Sequence, residues 1–273
     1  MYNAIKNVSK VVKFMKKAIS LFIMDVTSST KHENRNELSE YLSIWEDILN
    51  SLENDNPDFT IKVNYRMGDE ILLVADDYAT AYLIANYMFY LWKYPKNRPY
   101  FGLSNGVIND SIEDIDLEKW NHPLIKEARL ANDSIKNTKH RQQAIKVYEN
   151  KNLLSDKKII NHILKLQYYL AEKQTKKQKE ITGLYMLYGA QNTLATLLNK
   201  TTATISNQFT SGATSLIIES IEQLQEMLML EQFETHNSLG NLVLKERLNS
   251  LQENLRKVLI KNINKITELN KTE

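Results

Sequence analysis

The chain has 273 residues and a mass of 31.8 kDa, and its 35 Lys and Arg nearly balance 33 Asp and Glu, for a formal net charge of +2. Bulk charge therefore points to no nucleic-acid or membrane partner, and any such affinity must come from local clustering. The absence of cysteine excludes disulfides, zinc fingers and cysteine nucleophiles and suits a cytoplasmic setting, while only 7 Gly and 4 Pro favour long helices over turn-rich β structure.

In chain order, a basic amphipathic lead carries Lys6, Lys10, Lys13, Lys16 and Lys17 and runs into the apolar stretch Ala18 to Met24. That stretch meets Asp25, lacks a small-residue cleavage site and falls far short of the roughly 18 residues a membrane span needs, so Ile19 to Val26 reads as a buried strand. No longer apolar run follows, and no membrane partner is expected. After the polar turn, Leu38, Leu42, Trp45, Ile48, Leu49 and Leu52 recur at helical steps. Phe59 to Tyr65 and Glu70 to Ala75 read as strands of a hairpin turning at Met67-Gly68-Asp69. Ala79 to Trp92 is helical in period and is stopped by Pro95 and Pro99. Tyr100 to Ile108 is a strand, Asn109 to Asn121 a polar loop, and Leu124 to Ser134 a helix.

The order β, α, β, β, α, β, α describes an α+β domain, ferredoxin-like in its element order, with helices on one face of a sheet. Beyond Asn150 only helical periods remain: Leu153 to Ala171, Lys179 to Tyr188, Leu194 to Leu198, Thr202 to Phe209 and Leu216 to Met229. Leu244, Leu248, Leu251, Leu255 and Val258 then repeat at steps of four and three, the pattern of a coiled-coil seam and hence of a homodimer contact. The expected organisation is a lead at 1–17, an α/β domain at 18–150, a helical domain at 151–215 and long C-terminal helices at 216–273.

Two carboxylates stand out: Asp25 at the end of the first strand and Asp69 at the hairpin tip. If those strands lie side by side, both acids approach one point, as a hard divalent ion such as Mg²⁺ requires while leaving positions for phosphate oxygens. Each residue taken singly is also an ordinary turn former.

The segments FIMDVTSST, YRMGDEILLV, YFGLSNGVI and the helix carrying Arg129 resemble the catalytic domain of class III nucleotide cyclases. The resemblance implies a nucleotide and a metal at Asp25 and Asp69, with Arg129 as a catalytic candidate. It departs at Ile125, where the family has an asparagine that helps stabilise the transition state, and at Tyr65, where adenylyl cyclases have a base-reading lysine. Over about residues 18 to 216 the chain is also similar to the SatD family, through FIMDVTSST, RMGDEILL, FGLSNGVI and NHPLIKEARLANDSI in that order. That family commonly ends in a helix-turn-helix.

The segment QNTLATLLNKTTATISNQFTS has helix-turn-helix spacing. Leu194, Leu198 and Ile205 face inward, Ala195 sits at the helix crossing, Asn199 takes the left-handed turn and Thr201 or Thr202 caps the second helix. Lys200 stands where an apolar residue usually follows the turn. Thr202, Thr204, Ser206, Asn207, Gln208 and Thr210 are then the candidate DNA-reading face, with Lys173, Lys176, Lys177 and Lys179 as candidate phosphate contacts, Lys176 and Lys177 foremost. A solvated helical hairpin is the alternative. The five histidines show no paired spacing for a zinc site. The residues thus point to a DNA-binding regulator with a nucleotide- or metal-sensing domain. The alternatives are a Mg²⁺-dependent enzyme acting on a nucleoside triphosphate and a non-catalytic interaction protein.

Overall fold

The structure is a computed structural model that describes residues 16–27, 35–55, 59–66, 68–150, 157–236 and 240–269. The lead up to residue 15, the turn at 28–34 with His32, and the connection at 151–156 lie outside the described residues. The sheet domain comprises β1 (Lys17–Val26), α1 (Arg35–Asp55), β2 (Ile61–Arg66), β3 (Glu70–Asp76), α2 (Thr80–Tyr90), β4 (Pro99–Ile108), a 3₁₀ turn (Ile112–Asp114), α3 (Pro123–Lys136) and β5 (Ile145–Val147). The helices that follow are α4 (Lys157–Lys173), α5 (Lys176–Tyr188), α6 (Gln191–Leu197), α7 (Thr202–Ser211), α8 (Thr214–His236), α9 (Asn241–Lys261) and the short α10 (Ile263–Ile266).

The strand order is β2-β3-β1-β4-β5. β1 is antiparallel to β3 and β4, β2 is antiparallel to β3, and β5 joins β4 in parallel. The first four strands and their two crossover helices form the expected β-α-β-β-α-β arrangement. β5 was not expected, because three residues are too few to show a period against the surrounding polar sequence.

β1 occupies the centre because its apolar run feeds two cores. Phe22, Met24 and Val26 point to the face covered by α1 and α2, with Leu42, Trp45 and Leu49 of α1 fully buried there. Ile19, Leu21 and Ile23 point to the opposite face, where they meet Ile112, Ile115, Leu117, Leu124 and Ala128. The sheet is therefore covered on both faces. The expectation of helices on one face is corrected by α3, whose apolar stripe is read from sequence as a helix but whose side of the sheet is set by tertiary packing. α3 lies very close to β4: a Cβ placed on Gly102 would stand 2.1 Å from the Ala128 carbonyl oxygen and 2.3 Å from the Asn132 amide nitrogen.

Almost every residue of α2 is buried, including polar Thr80 and Asn86. Such a helix has no solvent face, because the sheet lies on one side and the helical half on the other. The same hydrophobic cluster runs from Phe22 through α2 to Leu164, Ile221, Leu255 and Ile266, so the two halves share one core. Polar ties fasten it. The Tyr41 hydroxyl donates to the Ile266 carbonyl at 2.9 Å, Gln232 Oε1 accepts from the Tyr78 amide at 2.7 Å, and Gln232 Nε2 and Arg247 Nε reach the two Asp77 oxygens at 2.8 and 2.9 Å.

This core corrects the coiled-coil reading. Leu244, Leu248, Leu251, Leu255 and Val258 are all buried within the chain itself and so are not a free dimer seam. A four-three stripe specifies an apolar helix face but not whose surface covers it. No helix among the described residues is long and apolar enough to cross a membrane.

Replacing Gly102 by Ala tests the β4–α3 approach. Both colliding atoms are backbone, so α3 must move, and a loss of about 3 kcal/mol or more is expected in urea unfolding, at or above the upper end of ordinary overpacking costs. Gly240→Ala, whose added Cβ meets nothing within 4 Å, serves as the neutral comparison.

Candidate functional site

The carboxylates that stand far apart in sequence meet at one end of the sheet. Asp25 is the last but one residue of β1, and the antiparallel neighbour β3 begins at Glu70, directly after Asp69 at the hairpin tip. The tip turns at Gly68, whose φ of +115° lies in the region only glycine adopts freely. On the other side of β1, Tyr100 is the register partner of Asp25.

The arrangement is electrostatically tense. Burial, followed by the neighbouring Asp69 charge, pushes the Asp25 carboxyl up from its ordinary 3.8 to about 6; Lys136 opposes the shift from α3, its Nζ 3.8 Å from Oδ2. Burial and then the Asp25 charge raise the Tyr100 hydroxyl above its ordinary range, with Arg141 opposing. The Arg141 guanidinium lies over the Tyr100 ring, 4.2 Å from its centroid, and donates to Thr27 Oγ1. Glu70, Tyr100, Lys136 and Arg141 all bear on this site, and sequence reasoning singled out none of them. Tyr100 and Glu70 were within reach, since strand pairing follows from the element order. Lys136 and Arg141 were not, because only the docking of α3 and the segment after it brings them here.

Two adjacent carboxylates fit a Mg²⁺ ion of the kind that is held partly by protein and partly by phosphate oxygens. No group of three or more His, Asp or Glu side chains placed to hold a metal ion occurs among the described residues.

Arg129 is paired with Glu70 at the edge of the same site. Its Nη1 and Nη2 reach Glu70 Oε2 and Oε1 at 2.8 and 2.9 Å, a bidentate pair, while Arg66 joins the same carboxylate at 3.2 Å. Ile125 packs against the core of the α3 face. Ile125 therefore has a packing role in this chain.

The second candidate lies in the helical half. α5 begins with a capping box, in which Thr175 Oγ1 accepts from the Gln178 amide and the Gln178 side chain accepts from the Thr175 amide. α5, α6 and α7 enclose a small core of Ile181, Leu184, Leu194, Ala195 and Ile205, with Leu198 and Phe209 packed against it. Between α6 and α7, Asn199 has φ of +50°, and Thr201 caps α7 by accepting from the Thr204 amide at 3.2 Å. The local conformation predicted for the turn and cap is thus present.

Thr202, Thr204, Asn207 and Thr210 on α7 are exposed, and Ser206 and Gln208 are half-buried. The C-terminal helices leave this face open. Lys200 is exposed beside the start of α7. The lysine run is more encumbered: Lys176 pairs with Glu268 at 2.6 Å, Lys177 with Glu180 at 3.6 Å and Lys179 with Glu172 at 3.1 Å. Its neighbour Gln178 donates to Ser211 Oγ, which places the run near the C-terminal end of α7.

Comparison with protein-family models, with curated proteins and with solved structures yields no match to this chain. Its functional reading rests on its own residues.

The Asp25 shift predicts a pH dependence of stability. Because the folded-state value lies above the ordinary one, native protein binds this proton more tightly than unfolded protein. The contribution is complete below about pH 4 and is lost as pH rises through about 6. Asp25→Asn removes the titration without changing the shape. Urea midpoints between about pH 4 and 8 should fall less steeply for the variant, which should be the more stable protein at the alkaline end. Identical slopes for the two proteins would refute the raised Asp25 value.

Proposed function

We propose that this protein is a DNA-binding regulator, in which the α5–α7 unit reads duplex DNA through α7 and the sheet domain senses a nucleotide or metal at Asp25 and Asp69. The observation that carries the reading is the outward polar face of α7. A helix held by a buried Ile205 on one side and bearing exposed Thr202, Thr204, Asn207 and Thr210, with half-buried Ser206 and Gln208 beside them, suits the major groove. Asn and Gln can each bond bidentately to adenine edges, and Ser and Thr reach base edges or phosphates.

Lys200, exposed beside the turn, is the favoured phosphate ligand, whereas Lys176 and Lys177 are already held by carboxylates. A palindromic site would call for a second copy of the chain. The Leu244–Val258 stripe cannot supply that contact without opening the core.

A second reading is a Mg²⁺-dependent activity on a nucleoside triphosphate, favoured by the convergence of Asp25 and Asp69. A bound Mg²⁺ would place positive charge against phosphate oxygens. Turnover is disfavoured by Ile125 and by the engagement of Arg129 with Glu70. In this reading, a nucleoside triphosphate with Mg²⁺ raises the melting temperature of the parent but not of Asp25→Asn or Asp69→Asn. A rise that persists in both variants would remove the pair from the site.

The DNA reading is tested by selecting bound sequences from a random duplex library and measuring anisotropy on the winner. Asn207→Ala combined with Gln208→Ala should weaken the selected site by about thirtyfold or more, from roughly 1–3 kcal/mol for each of two bidentate base contacts, with little change on random DNA. Lys200→Ala should weaken both and lower the salt slope by about one. Lys176→Ala with Lys177→Ala should have less effect on that slope than two free lysines would. Absence of any enriched sequence, with no binding at low salt, would overturn the proposal.

A further inference from the structure

α4 and α8 pack side by side and antiparallel. Lys157, at the start of α4, pairs with Glu231 near the end of α8 at 3.4 Å, and further along α4 the Gln167 Nε2 donates to Ser220 Oγ at 3.0 Å. Each helix buries one side in the shared core, α4 through Ile160, Leu164 and Ala171 and α8 through Ile217, Leu224 and Leu228. The other sides face outward. Ile159, Leu166 and Tyr169 of α4 and Leu216 of α8 are each more than half exposed, and Leu230 of α8 nearly so. With half-buried Ile163 and Leu170, the α4 residues Ile159, Ile163, Leu166 and Leu170 make one stripe at steps of four, three and four. A single exposed leucine is ordinary, but an apolar strip shared by two adjacent helices marks an interaction surface.

The charges on the two helices identify what the strip meets. α4 carries four lysines and one glutamate, whereas α8 carries five glutamates and no lysine or arginine. Glu172 is taken up by Arg98 and Lys179, and Lys157 by Glu231. Lys158, Lys165 and Lys173 are then the exposed charges of one ridge, and Glu219, Glu222, Glu226 and Glu234 those of the other. Lys158 lies 3.9 Å from Glu149 and Glu226 3.8 Å from Lys245, contacts too long and too exposed to hold either side chain in place.

A face with a basic ridge and an acidic ridge on either side of an apolar strip is complementary to itself. We propose that α4 and α8 form the interface with a second copy of this chain, the two-fold axis running along the helices so that α4 of each copy lies on α8 of the other. A two-fold axis across the helices would instead set lysines on lysines and glutamates on glutamates. At 1.5 Å per residue α4 is about 25 Å long, so two helices, each about 10 Å wide, give a face of about 500 Å² per copy, or about 1,000 Å² in all, the lower limit for a specific dimer.

The choice of axis has a consequence for α7, which leads into α8 through Gly212 and Ala213. An axis along α8 brings both α7 helices to the same end of the dimer, as two half-sites of a palindrome require. The interface is argued from α4 and α8 alone and its test contains no DNA, so its failure is observed separately from any failure of the DNA-binding reading.

Sedimentation velocity on the full chain should show monomer passing into dimer, with a dissociation constant of about 10 µM or tighter. Leu166→Asp should weaken the dimer by about tenfold or more without loss of helix content, because this side chain is largely outside the core of one copy. Charge reversal decides how the copies pair. Lys158→Glu with Lys165→Glu, and separately Glu219→Lys with Glu226→Lys, should each weaken self-association by about tenfold or more. An equimolar mixture of these two variants should form dimers again, since each α4 then meets an α8 of opposite charge in both contacts. Melting temperatures near that of the parent check that each variant is folded. A chain still monomeric at about 100 µM overturns the proposal. So does a dimer that neither Leu166→Asp nor the charge reversals weaken, or a mixture that associates no better than the variants alone.

Discussion

The burial of β1 on both faces is the constraint from which the remaining architecture follows. A strand with no solvent face must be apolar on both sides, must satisfy its backbone through neighbours on both edges, and must be covered by a layer on each face. β3 and β4 supply the edges, α1 and α2 cover one face, and α3 covers the other. Because β1 is central, its end is the point where the hairpin tip, β4 and α3 converge. Asp25 sits there as a consequence of topology, with Asp69 on one side and Tyr100 on the other.

The helical half is held by the same logic one layer further out. α2 covers the sheet with one side and presents its other side to α5, α8 and α9, so the sheet domain cannot be separated from the helices without exposing Leu83, Tyr87 and their neighbours. The clamp of Gln232 and Arg247 on Asp77 fixes the C-terminal helices to the turn between β3 and α2. α5 is the element common to this shared core and to the small core beneath α7, since Met186 and Leu187 face the first while Ile181 and Leu184 face the second. A change registered in the large core thus has a rigid helix through which to reach α7.

Charge placement distinguishes the two candidate surfaces. At the sheet end, partly buried Asp25 and Asp69 repel one another, with Lys136 beside Asp25, Arg141 stacked on Tyr100, and Arg66 and Arg129 paired with Glu70. On α7 the surface is neutral and rich in hydroxyl and amide groups, with Lys200 exposed beside its start and the Lys176–Lys179 run near its other end.

The elements that repeat a period over many residues were legible in the sequence: β1, α1, the hairpin, α2, β4, α3 and the helices beyond Asn150 all fall where the apolar spacing places them. So were the conformations fixed by single residues, such as left-handed Asn199 and the Thr201 cap, because their causes lie within a few bonds. The proximity of Asp25 and Asp69 could also be inferred, through the strand order that β-α-β-β connections favour. Everything that depends on which surface covers an apolar stripe was decided only by tertiary structure. Leu244 to Val258 has the same spacing whether it meets a second chain or its own core, and α3 has the same period on either face of the sheet. The same holds for Arg129, whose charge is visible in sequence but whose partner, Glu70, is chosen by the close approach of α3 at Gly102. Local chemistry writes the elements, and the competition among apolar faces for cover, a property of the whole chain, determines what each one touches.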